Sequence, residues 1–292
     1  MAMQTQNEIN SKSNPKVLVI GGTGKTGRRV AERLIDRGVE IRVVSRSTSP
    51  AFDWHEEGAW AEALTGITAV YITFAPDLAV PGATGRIQQF VDTAVAAGVE
   101  RLVLLSGRGE EEAQACEQIV QAQDVEWTIV RSSWFMQNFS EGEFSGMVND
   151  GALTLPAADI PEPFIDINDL ADVAVAALTE TGHAHEIYEV TGPRLLTFVE
   201  VAEELSRQLE RKVHFHGIAQ DDFDVYLLEA GLPKDICWLL SYLFTTVLDG
   251  RNAYLSDGVQ RALSREPADF SEFVKRHLQR GTWAETDAGV AA

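Results

Sequence analysis

The feature that most constrains this chain lies near its start. A short apolar run, Lys16-Val17-Leu18-Val19-Ile20, ends in Gly21-Gly22-Thr23-Gly24-Lys25-Thr26-Gly27, and Val30, Leu34 and Ile35 then recur at helical spacing. A run of this length suits a strand buried on both faces of a parallel sheet. The amphipathic stripe that follows is charged on its other side, is stopped by Gly38, and reads as a helix. Glycines 21, 24 and 27 stand at GxxGxxG spacing between the two. Such a junction needs small residues in three places: one for the tight turn, one to let backbone N–H groups approach a pyrophosphate, and one for close helix–strand packing. The tripeptide Gly24-Lys25-Thr26 also looks like the end of a P-loop. That motif requires a glycine five positions before Gly24, where Val19 sits inside the strand, so a nucleoside-triphosphatase reading fails.

The alternation continues along the chain. Strand patterns over 41–44, 69–74, 102–106 and 127–130 are separated by helical patterns over 57–64, 84–97 and 112–122. Strands alternating with helices through short connections predict an α/β fold, a Rossmann-like doubly wound parallel sheet with right-handed crossovers. After about residue 135 the rhythm gives way to an irregular stretch rich in Gly, Asp and Pro. A helix from Asp169, a strand over 187–190 that would join the sheet, and helices over 198–209, 222–230, 235–248 and 270–278 follow. The expected division is a disordered leader (1–14), a cofactor-binding domain (15–150), a smaller helix-rich C-terminal substrate domain or lid (151–283) and a tail (284–292).

Charge narrows the partners. The 292 residues carry 24 Lys and Arg against 44 Asp and Glu, a formal charge of −20. Nucleic acids and anionic membranes are held by Lys and Arg, so both are disfavoured as partners, and a small-molecule substrate is expected. The leader lacks the apolar core of a secretory signal, and the most apolar run, 236–248, is shorter than the roughly 20 residues that span a bilayer. Two cysteines, Cys116 and Cys237, make no disulfide framework. A soluble, cytoplasmic protein is the expectation. Residues 15–50 run against the overall acidity, with eight basic residues against three acidic ones, as though to hold a multiply anionic ligand.

The end of the second strand discriminates between cofactors. A carboxylate there would hold the ribose hydroxyls of NAD, whereas a basic residue would accept the 2′-phosphate of NADP. The sequence has Ser45-Arg46-Ser47, with Arg46 nineteen residues after Gly27, which favours NADP(H). Lys25 is a candidate for adding charge beside the same phosphate. The competing reading of Arg46 is a solvated charge at a strand end.

Together with Arg101–Gly107 (RLVLLSG), Trp127–Phe139 (WTIVRSSWFMQNF), Phe164–Leu178 and Leu263–Val274 (LSREPADFSEFV), these residues resemble the NmrA-like branch of the atypical short-chain dehydrogenase/reductase superfamily. The resemblance runs from about Lys16 to Trp283. It implies phosphate contacts at Gly21, Thr23, Gly24, Lys25, Thr26 and Gly27, a 2′-phosphate contact at Arg46 with Ser47, and adenine contacts at Asp53 and Trp54. Phe74, Ala75 and Pro76, with Ser106 and Gly107, would line the ribose and nicotinamide. Trp134 and Phe135 would meet the substrate.

The chain also departs from the superfamily. Its reductases protonate the substrate oxygen with a Tyr whose pKa is lowered by a Lys four residues on. Here the residues four beyond the five tyrosines are Ala75, Gly192, Ala230, Thr246 and Gly258, and the aligned Tyr and Lys positions fall near Gly109 and Ala113. Reduction of an ordinary ketone is therefore disfavoured, because the alkoxide it creates lacks its usual proton source. Two functions remain. One is an NADP(H)-dependent oxidoreductase acting on an iminium, a conjugated alkene or a quinone-like acceptor. The other is a non-catalytic, redox-sensing regulator that binds NADP(H) and a protein partner.

Other constellations carry less. His214-Phe215-His216 and His183/His185 have strand-like alternate spacing but no accompanying ligand set, and no metal is expected. Asp166 and Asp169 look like a carboxylate pair, with Asp169 read as the N-cap of a helix starting at Leu170. The segment 235–248 is apolar almost all round, which predicts burial beneath a lid or in a homo-oligomer contact. Trp238 and Tyr242, which it carries, are further substrate-pocket candidates.

Overall fold

The computed structural model describes residues 16–157 and 159–283. The leader and tail lie outside the described residues. Nine elements follow the expected alternation: β1 (Lys16–Ile20), α1 (Lys25–Asp36), β2 (Glu40–Val44), α2 (Trp60–Leu64), β3 (Ala69–Ile72), α3 (Ala83–Ala96), β4 (Arg101–Gly107), α4 (Glu111–Gln121) and β5 (Glu126–Ser132). Next come α5 (Asn138–Glu141), α6 (Glu143–Asn149), β6 (Ala152–Leu155), α7 (Ile167–Thr179) and β7 (Glu186–Val190). The remainder is α8 (Phe198–Gln208), β8 (His214–Gly217), α9 (Gln220–Glu229), α10 (Lys234–Tyr242), α11 (Gly258–Leu263) and α12 (Phe270–Gln279).

Six strands form one parallel sheet in the order β2-β1-β3-β4-β5-β7. Residue alternation splits its two faces. Leu18, Ile20, Val70, Ile72, Leu102, Leu104 and Ile129 pack with α2, α3 and α4. Val17, Val19, Tyr71, Val103 and Val130 pack with α1, α7 and α11 on the other side. The chain leaves β1 towards β2 and returns past it to β3. The sheet therefore reverses direction between β1 and β3, and the crevice at their C-terminal ends is the topological switch point of such a fold.

A third apolar cluster, built on Phe139, Phe144, Phe164, Phe198, Phe244, Phe270 and Phe273, unites the segment after β5 with the C-terminal helices. Part of the stretch expected to be irregular is ordered here. β6 pairs in parallel with β8, the segment whose histidines showed strand-like spacing, so α5, α6 and β6 stand where the sequence suggested only loop. The alternation in β6 is short, and its partner lies some 60 residues on, which left no local signal.

Two segments differ from the expectation, one in its cap and one in its continuity. Asp166, not Asp169, caps α7: its Oδ1 accepts from Asn168 N at 2.7 Å, and the helix begins at Ile167. Asp169 is instead an anchor for the C-terminal segment, accepting from Ala268 N at 2.7 Å and Arg265 Nη1 at 2.6 Å. The segment 235–248 is two pieces, α10 and a π-turn over Leu243–Val247. It is not buried all round, since Trp238 is 42% exposed.

Candidate functional site

The turn after β1 is built as its glycines require. Gly21 has φ +66°, and a side chain there would run into Thr73. A Cβ on Gly27 would overlap the Gly21 carbonyl, so this third glycine sets the approach of α1 to β1. Gly24 N donates to Gly21 O at 2.8 Å and closes the loop. The α1 N-terminus has no side-chain cap and no acidic residue in its first turn, which leaves its N–H groups and the positive end of the helix dipole available to an anion.

From this turn a cleft of about 940 Å³ runs across the C-terminal ends of the strands. It brings together Gly21, Thr23, Gly24, Lys25, Thr26, Arg46, Ser47, Asp53, Trp54, Phe74, Ala75, Pro76, Ser106, Gly107, Trp134 and Phe135. Gly27 lies behind the wall. Trp238 and Tyr242 do not line the cleft. They stack on each other at 5.3 Å, and Tyr242 Oη donates to Glu112 at 2.8 Å. From the same segment, Ile236, Leu239, Leu240, Leu243 and Val247 face the cleft instead, so the apolar helix serves it with other side chains than its aromatic ones.

The basic cluster around the turn is deployed differently from what charge counting suggested. Arg28 and Arg29 both pair with Glu141, Arg33 with Asp172 at 2.5 Å, Arg37 with Glu180 at 2.7 Å, and Lys16 with Glu40 at 2.5 Å. Arg42 donates to the carbonyls of Glu62, Ala63 and Thr65. Most of this positive charge therefore clamps α1 and β2 to their neighbours. Lys25 reaches Asn138 Oδ1 at 3.1 Å, beyond β5, whereas Arg46 stands at the end of edge strand β2. Arg46 is exposed and makes no hydrogen bond or ion pair with the described residues. Beside it Ser45 Oγ and Ser47 Oγ lie 3.1 Å apart.

Trp54 has a dual position. It is 5% exposed, packs among Phe52, Trp60, Phe74 and Phe90, and donates from Nε1 to Thr73 O at 3.3 Å, presenting only an edge to the cleft. Asp53 stiffens the same loop by accepting from His55 N at 2.8 Å.

At the far end the sequence reading missed the ionisable groups. Ser106 Oγ donates to Glu117 at 2.6 Å, Glu117 pairs with Arg131, Arg131 with Glu189, and Glu189 with Arg108 at 2.8 Å. This chain of charges, buried at Glu117 and Arg108 and half-buried at Arg131 and Glu189, fixes the Ser106 hydroxyl and holds the Arg131 guanidinium above its ordinary pKa through the Glu117 hydrogen bond. Asp77 and Glu110 also line the cleft. Burial, then the neighbouring Asp77 charge, pushes the Glu110 carboxyl well above the usual carboxylate range. No tyrosine lines the cleft among the described residues. Tyr71 is buried in the sheet, and Tyr188 pairs with His183 Nδ1 at 2.8 Å. His214 and His216 lie on exposed β8, and no group of three potential metal ligands gathers among the described residues. Nor is any described helix long and apolar enough to cross a membrane.

What a doubly wound sheet takes into the crevice at its switch point, over a glycine turn and an open helix end, is a dinucleotide, and the class so defined is that of NAD(P)H-binding proteins. Comparison with known proteins reaches the same class, for residues 21–181 match the NAD(P)H-binding family. The chain belongs to that oxidoreductase family, in its NmrA-like, atypical short-chain dehydrogenase/reductase branch. It is 31% identical to an agroclavine dehydrogenase of Claviceps fusiformis over 93% of this chain and 99% of the relative. Among solved structures, an NADPH-dependent quinone oxidoreductase of Escherichia coli, complexed with NADPH, superposes with TM-score 0.76 at 20% identity over 90% of this chain and 99% of that one. NmrA, a negative transcriptional regulator solved with NAD, superposes with TM-score 0.67 at 12% identity over 92% and 97%.

Proposed function

We propose that the protein is an NADP(H)-dependent oxidoreductase that transfers hydride to or from a small, largely apolar organic molecule: an iminium, a conjugated alkene or a quinone-like acceptor. One observation carries the reading. A single cleft is continuous from Arg46, a guanidinium without a hydrogen-bond or ion-pair partner among the described residues, to an apolar chamber walled by Trp134, Phe135, Leu239, Leu240 and Leu243. The residues fit the dinucleotide in that order. The turn Gly21–Gly27 and the start of α1 would hold the pyrophosphate, Arg46 and Ser47 the 2′-phosphate, Asp53 and Trp54 the adenine, and Ala75, Ser106 and Gly107 the ribose and nicotinamide. NADP(H) when bound supplies the hydride. The protein's own part is to orient the reacting partners against each other and to exclude water with the leucine-rich wall.

The absence of a cleft tyrosine supports substrates whose reduction does not build an unsupported alkoxide. The agroclavine dehydrogenase named above is by its name a redox enzyme on an organic molecule, which supports an oxidoreductase reading here. Nicotinamide absorbance tests the proposal. Oxidation of NADPH by at least one member of an imine, enone and quinone panel is expected. Binding of NADPH with no oxidation across the panel would leave a redox-sensing regulator as the reading.

A further inference from the structure

We propose that the nicotinamide end of the cleft selects a flat organic cation as substrate, with Asp77 and Glu110 as its anionic partners. The inference deepens the proposed function, since it names the charge of the molecule taken into the apolar chamber.

Glu110 lies three residues after the end of β4, at the N-cap of α4, and is only 6% exposed. Its carboxyl occupies the space where a Gly107 side chain would be, so the glycine expected to serve the cofactor also makes room for an acid. Glu110 Oε2 is buried and has no hydrogen-bond partner. Asp77, on the loop after β3, accepts from Ala79 N at 2.8 Å and lies within hydrogen-bonding reach of Glu110. Both line the cleft.

Among the described residues no ion pair joins a Lys or Arg to either carboxyl. The charges acting most strongly on Glu110 are the carboxylates of Asp77, Glu112 and Glu117. Two guanidiniums nearby are engaged: Arg108 with Glu189, and Arg251 with Asp249 at 2.8 Å and with Gly109 O at 3.0 Å. Glu110 is buried and Asp77 half-buried, and carboxylates so enclosed without a counter-ion are costly, so desolvation raises the pKa of both. A ligand carrying delocalised positive charge on an apolar body satisfies both surfaces. Its charge offsets the carboxyl pair, and its rings pack against the Trp134 face and the leucine wall. The oxidised nicotinamide ring is a second cation of the same chemistry, and the experiment must separate the two.

Titration calorimetry on the NADP+-loaded protein, at mildly alkaline pH, would compare N-methylquinolinium with neutral quinoline. The cation is expected to bind roughly tenfold more tightly or better, and Asp77→Asn and Glu110→Gln should each reduce that preference. NADPH affinity in each variant reports that the cleft is intact. Equal binding of the two probes by the native protein, or a preference that survives in the double variant, overturns the proposal. A loss confined to NADP+ affinity relative to NADPH assigns the charge to the cofactor ring and overturns the substrate assignment. Selective cation binding without any NADPH oxidation contradicts the oxidoreductase reading alone.

Discussion

Glu162 shows most plainly how one residue can run against its surroundings. Its side chain is fully buried, neither carboxyl oxygen has a partner, and its backbone is tied to Leu196 by two hydrogen bonds of 2.9 Å. Burial pushes its pKa up to about 7, against the lowering influence of Arg108. Because the folded value lies above the unfolded one, the folded state holds the extra proton. The associated stability is fully present below the ordinary glutamate range and is lost as pH rises through about 7. Glu162→Gln should therefore be more stable than the native protein by roughly 1–3 kcal/mol near pH 8, with the gap closing towards pH 5. Denaturant unfolding at both pH values checks this, and a gap independent of pH would contradict it. Residues of this kind were not legible in the sequence. Glu110 heads the run Glu110-Glu111-Glu112, which reads as a solvated helix start, and nothing local tells that only the first is enclosed. Arg46 could be singled out because the position proposed to meet a 2′-phosphate lies at a fixed offset from the glycine turn, a property of the chain and not of packing.

At the scale of elements, α1 performs two tasks that its sequence runs together. Its N-terminus faces the cleft, while Arg28, Arg29, Arg33 and Arg37 bind it to α5 and to the α7 region. Counting charge along the chain could not separate these, since the carboxylate partners lie more than 100 residues away. Glu141→Gln removes the charge shared by Arg28 and the nearly buried Arg29. It should cost about 1–3 kcal/mol in chemical denaturation while leaving the NADPH-to-NADH affinity ratio unchanged. Loss of that ratio would return these arginines to the cofactor. The central strands β1, β3 and β4 were legible because each carries a continuous apolar run between turn signals, and β2, β5 and β7, which carry charged residues, by their place in the alternation with helices. The β6–β8 pair was not, being four residues a side and partly exposed. The π-turn after α10 likewise leaves no trace in apolar periodicity, yet it helps bring Leu243 and Val247 to the cleft wall.

Across the whole molecule, the switch point between β1 and β3 puts four things along one line: the glycine turn, Arg46, the carboxyl pair and the apolar wall. The net charge of −20 keeps the surface hostile to polyanions, and within it the arginines of α1 are internally matched. The groups proposed to meet the dinucleotide are local: backbone N–H groups at the uncapped start of α1 and the exposed guanidinium of Arg46. The proposed preference for NADPH thus rests on Arg46. The direct measurement is the pair of dissociation constants for NADPH and NADH, read from tryptophan fluorescence, since Trp54 and Trp134 line the cleft. The native protein should prefer NADPH roughly tenfold or more, from the charge-assisted contact to the 2′-phosphate, and Arg46→Ala should abolish that preference with NADH affinity retained. An unchanged ratio in Arg46→Ala, or a native protein that binds NADH as tightly as NADPH, would contradict it.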